Sequence, residues 1–427
     1  MAAGAGAGLG QHTSRSAAAG GGVDQLPRGD DDALRRGLRA RQPRLSPADP
    51  LAPGLRCPAL FASSGSRRCR CVLGAVTGQL QPIGQGCWLA AAGCRPARFA
   101  ATPGGIALRD RDACYQATEL AGYGFAINPG ELHSLGLRAP RDWPDLLDAR
   151  LRGRIALPDP AQVGFAPVLL DIVLQAYGWD KGWALWSELA GQSRLVSRGG
   201  TLVSDEVASG RSVVGVSIDF FVASAVSNGQ PVEFVYPTHG GLNPAHIAIT
   251  RTAKQVEGAR AFVRFVLSPE GQTLLADPDI RKLPVRPGVY AQLPADYHDP
   301  FAAARQGSYA YANDSSRERL ALITSLFEQW LGQPHEQLSA LWARVHAGEA
   351  QGRDLTAVRE FLSVPPIDED QATSATLLAL FGQRQDHGML RQPVSDQDAL
   401  GREEIAWQFH SARQQAQAER LLAAMGL

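Results

Sequence analysis

A chain of 427 residues of which 44% are hydrophobic is long enough for two or three ordinary domains with sizeable cores. Its 42 basic and 42 acidic residues cancel, so no whole-chain field draws it to nucleic acid or to an anionic membrane surface, and nucleic acid is not an expected partner. No stretch approaches the roughly 18 to 20 continuous apolar residues of a transmembrane helix, so a soluble chain is expected.

Residues 1–104 give no reading by hydrophobic period. The opening run MAAGAGAGLG lacks the basic and leucine-rich regions of a secretory signal peptide, which taken alone places the chain in the cytoplasm. Arg, Pro and Gly dominate the rest of this region, and such a composition buries too little apolar surface to offset the entropy of ordering, so this part is expected to be unstructured. All six cysteines, Cys57, Cys69, Cys71, Cys87, Cys94 and Cys114, fall before residue 115. Their spacings match no zinc or redox pair, and no designed role is expected of them.

From Gly105 onward helix-like and strand-like segments alternate, the pattern of an α/β protein with a mostly parallel sheet. Tyr123 to Asn128 reads as a strand stopped by Pro129-Gly130, and Asp142 as the cap of a short helix with Pro144 in its first turn. Arg154 to Leu157 is a strand. Val163 to Tyr177 is apolar at helical spacing with Gly178 at its end, and a second helix covers Asp180 to Leu189. After a helix over Thr201 to Ser209, Ser212 to Ile218 is valine-rich enough for a strand buried on both faces. Asp219-Phe220-Phe221 stand at its carboxyl end, where open α/β sheets place ligands.

Val232 to Tyr236 is a further strand, Pro237 to Pro244 a loop, and His246 to Thr250 a returning strand, so the chain passes between two lobes twice. A helix over Val256 to Leu267 precedes another capped by Ser268 with Pro269 at its first position. Leu320, Ile323, Leu326, Phe327 and Trp330 share one helical face, and a polar helix spans Arg402 to Met425.

There is no G-x-S-x-G elbow, C-x-x-C, H-E-x-x-H or P-loop, so neither an enzyme nor a bound cofactor is expected. His239 and His246 flank the glycine loop, but isolated histidines make no metal site, and none is expected.

The string from Pro140 to Pro160, with its W-x-D-L-L and G-x-I-A-L-x-D-P pattern, resembles the iron(III)-type extracellular solute-binding proteins of ABC importers. Six further islands keep the family's order: Gly178 to Trp183, Val235 to Pro237, Ala253-Lys254, Ala259 to Phe265, Leu267 to Gln272 and Leu283 to Pro287. The Asp-Phe-Phe string is similar to that of the branch containing phosphoglycerate transport regulatory binding proteins. The resemblance covers roughly residues 105 to 350. It implies a two-lobed type 2 periplasmic binding fold whose lobe one is incomplete here. Residues 105–128 would end lobe one and make the first crossing, 129–245 form lobe two, 246–350 return to lobe one, and 351–427 make a C-terminal helical extension. Residues 1–104 depart from the family. Val72 to Pro82, read one base later, can spell a peptide similar to a lobe-one segment, so the region is expected to be out of frame, with the frame restored near Gly104.

The resemblance also implies a monomeric periplasmic protein that closes on a small solute and hands it to ABC permease subunits, or reports it to a membrane sensor kinase. The helix start near Gln162-Val163-Gly164 would aim unpaired N–H groups into the cleft and favour an anionic or phosphorylated solute. Tyr123, Gln162, Gly164, Asp219, Phe220, Asn243 and His246 are the cleft candidates. Phe220 and Phe221 stand where ferric members carry adjacent tyrosines, and phenylalanine has no donor atom, so ferric ion is not the expected solute.

Overall fold

One strand organises the computed structural model, which describes residues 71–74, 103–110, 114–197, 200–250, 253–295, 297–309, 311–312, 319–386 and 399–427. The strands are β1 (Cys71–Gly74), β2 (Gln116–Ile127), β3 (Ile155–Pro158), β4 (Arg194–Val196), β5 (Val214–Ile218), β6 (Glu233–Val235), β7 (Leu242–Ile249) and β8 (Leu283–Pro284). Twelve residues long and buried throughout, β2 belongs to two sheets in succession. Its first half pairs with β7 and β8, and β7 pairs in turn with β1. Its second half pairs with β5 and β6, and β5 continues through β3 to β4. The change of sheet falls at Gly122/Tyr123, where the partner passes from Leu242 to Ile218.

The sheets are mixed and not mostly parallel. Among the described strands only β3 pairs in parallel, with β4 and β5. Those pairs are joined by helical crossovers, as parallel pairing requires. By contrast β2 and β7 are outward and return passages of the chain between the sheets, so they meet antiparallel. β2 begins well before Tyr123 because its polar residues find partners inside. Gln116 Nε2 donates to the Leu108 carbonyl (2.7 Å), and Thr118 Oγ1 to that of Ala245 (3.3 Å). β7 begins at Leu242, not His246, and takes in Pro244. β1 covers only His246 to Ile249, so Pro244 lies on a strand edge, where a missing N–H costs no ladder bond.

Among the helices, α1 (Ala166–Tyr177) and α2 (Trp179–Gln192) pack on the second sheet, and α3 (Asp219–Ser227) leaves the end of β5. The amphipathic α4 (Val256–Val266) covers the first sheet by setting Phe262, Val263 and Val266 on Ile247 and Ile249. The opposite face of that sheet carries Ile106, Leu120, Leu242, Leu283 and Tyr309.

A third passage appears after residue 309, one more than the two that the sequence predicts. Tyr309 belongs to the first-sheet core and Tyr311 to the second. The second anchor is a side chain on α1: Gln175 accepts from the Ala312 N–H (2.8 Å) and donates to its carbonyl (3.2 Å). Arg319 then pairs with the fully buried Asp171 at 2.5 Å. Residues 320–350, read from sequence as part of lobe one, therefore stand with the second sheet.

They form α5 (Leu320–Phe327), a π turn and α6 (His335–Ala350), with α7 (Thr356–Ser363), α8 (Ala375–Asp386) and α9 (Ala399–Ala424) after them. Seven of the eight tryptophans share one core with α1 and α2, and three of those, Trp330, Trp342 and Trp407, come from this C-terminal part. Trp183 meets Trp330 edge-on at 5.7 Å, and Trp186 meets Phe327 at 6.3 Å. Glu188 of α2 is buried against His346 (2.8 Å) and Arg359 (2.7 Å). Burial pushes its carboxyl up, but the bonds from His346 and Arg359 outweigh that and hold it below the usual range.

His239 plays the structural part expected of a lone histidine. Its Nδ1 lies 2.5 Å from Asp142 Oδ2, its carbonyl accepts from Trp143 Nε1, and Tyr177 OH donates to the same carboxylate at 2.8 Å. The return loop is thereby fastened to the second lobe. No helix among the described residues is long and apolar enough to cross a membrane. Cys114 is disulfide-bonded, against the expectation that it has no role. Apart from β1, residue 103 and Gly104, the region 1–104 lies outside the described residues, and so do Cys57, Cys69, Cys87 and Cys94.

Candidate functional site

β5 is a fully buried strand, apolar but for Ser217, that ends where β2 changes sheet, so the residue after it, Asp219, arrives at the junction of the lobes. Its side chain is 4% exposed. Oδ2 accepts from the Gly122 N–H (2.8 Å) and the Tyr236 hydroxyl (3.0 Å), and Oδ1 from the Phe220 N–H (2.7 Å). Burial pushes the carboxyl up to about 7, although those three donors and the charge of Lys282 pull the other way. Gly122 is small because it must be: a Cβ there would come within 2.5 Å of the Tyr236 ring.

In sequence Tyr236 stands at a separate strand end, whereas the antiparallel pairing of β6 with β2 brings it to Asp219. Its ring stacks on His298 (centroids 3.6 Å apart, 9° between planes), and His298 Nε2 lies 2.5 Å from Tyr309 OH. Burial lowers His298 to about 4, so its imidazole is neutral at physiological pH.

Phe220 is half-buried and lies 4.3 Å from Phe221, which packs on Phe165 at 5.9 Å. From the first sheet, Lys282 Nζ sits 4.7 Å from the Phe220 ring centroid and 3.6 Å from Glu119 Oε1. Glu119 and Lys282 are 7% and 4% exposed, an ion pair removed from water at the face where the lobes meet. A buried charge pair beside an aromatic ring can hold a polar solute by charge-assisted hydrogen bonds.

The sequence candidates divide. Tyr123, 1% exposed, lies opposite Ile218 with its ring 6.5 Å from Phe165, and burial and the nearby Asp219 both raise its phenol well above the ordinary value. Tyr123, Asp219 and Phe220 therefore come together. Asn243 stands opposite Ala121, one step from the junction, and its buried Oδ1 has no hydrogen-bond partner among the described residues. His246 is carried away along β7: it opposes Ala117 and Gly74, about 13 Å beyond Leu242 at the usual strand rise, and its ring meets Tyr115 edge-on.

Gln162 and Gly164 are exposed in a turn, and α1 starts only at Ala166. Most of the N–H groups expected to be free there are taken, those of Gln162 and Val163 by the Asp159 carbonyl (3.0 and 2.8 Å). The Ala166 N–H donates to the Val163 carbonyl (2.9 Å), that of Val168 to Phe165 (3.2 Å), and residue 167 is proline. Asp159 organises the turn by accepting from Ala161 N–H, which consumes a donor that the sequence leaves open.

Glu119, Lys282, His298 and Tyr309 were missed from sequence. One signal was available for Lys282, as the chain has only three lysines and this one lies in a KLPVRP string that reads as buried.

Residues 92–303 match the family of bacterial extracellular solute-binding proteins. The match starts before Gly104, the point at which the sequence suggests a restored reading frame, and ends short of residue 350. The phosphoglycerate transport regulatory protein PgtC of Salmonella typhimurium is 29% identical over 269 residues, 62% of this chain and 66% of the relative, so the chain spans just under two thirds of its length. Among solved structures, the periplasmic binding protein AfuA from Actinobacillus pleuropneumoniae, with fructose-6-phosphate bound, is 24% identical with a TM-score of 0.39, covering 51% of this chain and 68% of that one. Iron-bound HitA from Pseudomonas aeruginosa is 15% identical with a TM-score of 0.49, covering 70% and 95%. The sequence match and the two sheets joined through β2 agree on an α/β, two-lobed type 2 periplasmic binding fold, and residues 92–303 are similar to the bacterial extracellular solute-binding proteins.

Proposed function

We propose that the chain is the substrate-binding component of an ABC importer, capturing a small anionic or phosphorylated solute between its lobes for delivery to permease subunits. The observation that carries this reading is the junction itself. One strand is shared by both sheets, and Phe220 of the second lobe faces Lys282 of the first, which is itself paired with Glu119. Tyr123, Phe220, Asn243 and Lys282 are the residues assigned to the cleft, with Asp219 holding its floor. The phosphoglycerate in the relative's name favours a phosphorylated solute. The disulfide at Cys114 favours an oxidising compartment, as the periplasm is.

A second reading is a sensing receptor that reports the solute to a membrane histidine kinase, favoured by the word regulatory in the name of the same relative. Both readings require solute binding. Thermal unfolding of the full chain with 3-phosphoglycerate, fructose 6-phosphate and ferric citrate tests them together. A ligand at a hundredfold excess over its Kd stabilises by about 2.7 kcal/mol, a rise of several degrees. The rise is expected with a phosphorylated compound and not with ferric citrate. A coloured tyrosinate-like iron complex, or no shift with any phosphorylated anion, would overturn the assignment.

A further inference from the structure

All three passages of the chain between the lobes meet in one buried cluster. The first contributes Gly122, whose N–H bonds Asp219. The second contributes Tyr236, which donates to the same carboxylate, and Gly240, where a Cβ would lie 3.1 Å from Tyr309. The third contributes Tyr309, a non-glycine residue at φ 64° in the left-handed region, which is 1% exposed. A side chain in that conformation must be held by its surroundings. One residue touches the second and third passages together: His298 stacks on Tyr236 and bonds Tyr309.

We propose that His298 is the positioning residue of the interlobe pivot, with its ring face holding the Tyr236 phenol on Asp219 and its Nε2 holding the strained third passage. The two halves of the imidazole have separate duties. The stacking half supports Tyr236, hence Asp219, hence the Gly122 N–H at the bend of β2. The bonding half fixes Tyr309, three residues before the Ala312 N–H that Gln175 receives. The link to solute capture rests on the function proposed above; the link to the pivot does not.

Titratable and charged groups around Asp219 are Tyr123, Tyr236, Tyr290, Tyr297, Tyr309 and Lys282, and His298 feels Asp299. The Tyr236 bond is one of the interactions that lower the Asp219 carboxyl. Loosening Tyr236 must therefore move that titration upward from about 7.

The test is amide hydrogen exchange on the full chain carrying His298→Ala, His298→Phe or Tyr309→Phe. His298→Ala loses both halves: exchange at Gly122 and Ala312 should quicken about tenfold, with the β5 amides unchanged and the Asp219 midpoint raised. His298→Phe keeps a stacking ring and Tyr309→Phe keeps His298, so each should quicken Ala312 alone and leave the Asp219 midpoint in place. Unchanged exchange at both amides, or equal quickening of the β5 amides, would overturn the proposal. Binding of 3-phosphoglycerate is measured alongside, and His298→Ala should weaken it about tenfold. If the unaltered chain binds no phosphorylated probe, the solute reading falls while the exchange pattern still decides the pivot.

Discussion

Asp219 stands just past the end of β5 with both carboxyl oxygens turned to donors inside the protein. The strand-end rule points to it, and the structure puts it at the junction, yet its oxygens are taken by Gly122, Tyr236 and Phe220. No sequence signal announces those three bonds, because the donors come from three separate elements. Its pH linkage comes from burial. The folded carboxyl titrates at about 7 against 3.8 unfolded, so its contribution to stability is present below pH 4 and is lost as pH rises through 7. A difference of about three pH units at 1.36 kcal/mol each sets a ceiling of about 4 kcal/mol. Asp219→Asn keeps one carbonyl oxygen for Gly122 and Tyr236 and removes the charge. Relative to the parent, the variant should therefore gain on the order of 2–4 kcal/mol between pH 4.5 and pH 8, measured by urea unfolding at both values. An identical pH dependence in the two proteins would show that the carboxylate titrates normally.

At the scale of elements, the long amphipathic patterns were legible and the polar or short ones were not. α1, α2, α4 and β5 follow from their apolar spacing, and the Ser268 cap closes as its sequence suggests, with Oγ accepting from the Gly271 N–H at 3.0 Å. The first half of β2 escaped because Gln116, Thr118 and Glu119 look like loop residues until their buried partners are known. The start of β7 escaped because Asn243-Pro244 are punctuation everywhere except at a strand edge. Glycine has the same ambiguity. Gly191 sits in the last turn of α2, where a Cβ would meet Trp342 at 2.2 Å, whereas Gly382 in α8 has nothing within 4 Å. Helix propensity favours alanine at both by about 1 kcal/mol, but overpacking costs about 1–3 kcal/mol. Thermal denaturation should show Gly191→Ala less stable by about 1 kcal/mol and Gly382→Ala slightly more stable. Stabilisation by both would mean that α2 and α6 do not approach as closely as the Trp342 contact requires.

For the whole molecule, the C-terminal part decides what counts as a lobe. Read from sequence, residues 351–427 are an extension, because the polar α9 shows few apolar residues and local pattern cannot reveal what they face. In the structure Trp407 stacks on Phe381, Trp330 bonds Gln414, and the pair reaches through Trp183 into the helices that cover the second sheet. Ending the chain after Ala312 would bare the faces of α1 and α2 that carry Leu170, Trp183 and Trp186. It would also strip Asp171 of Arg319, and Glu188 of both His346 and Arg359. Breaking one buried pair by removing a partner costs about 3–5 kcal/mol, and two such losses together with the lost apolar burial exceed the stability of an ordinary domain. The shortened chain should therefore lose near-ultraviolet circular dichroism and bind a hydrophobic dye, as collapsed chains without fixed packing do. A shortened chain that unfolds cooperatively at the parent midpoint would show that these helices are an appendage after all, and that the second sheet holds its own core.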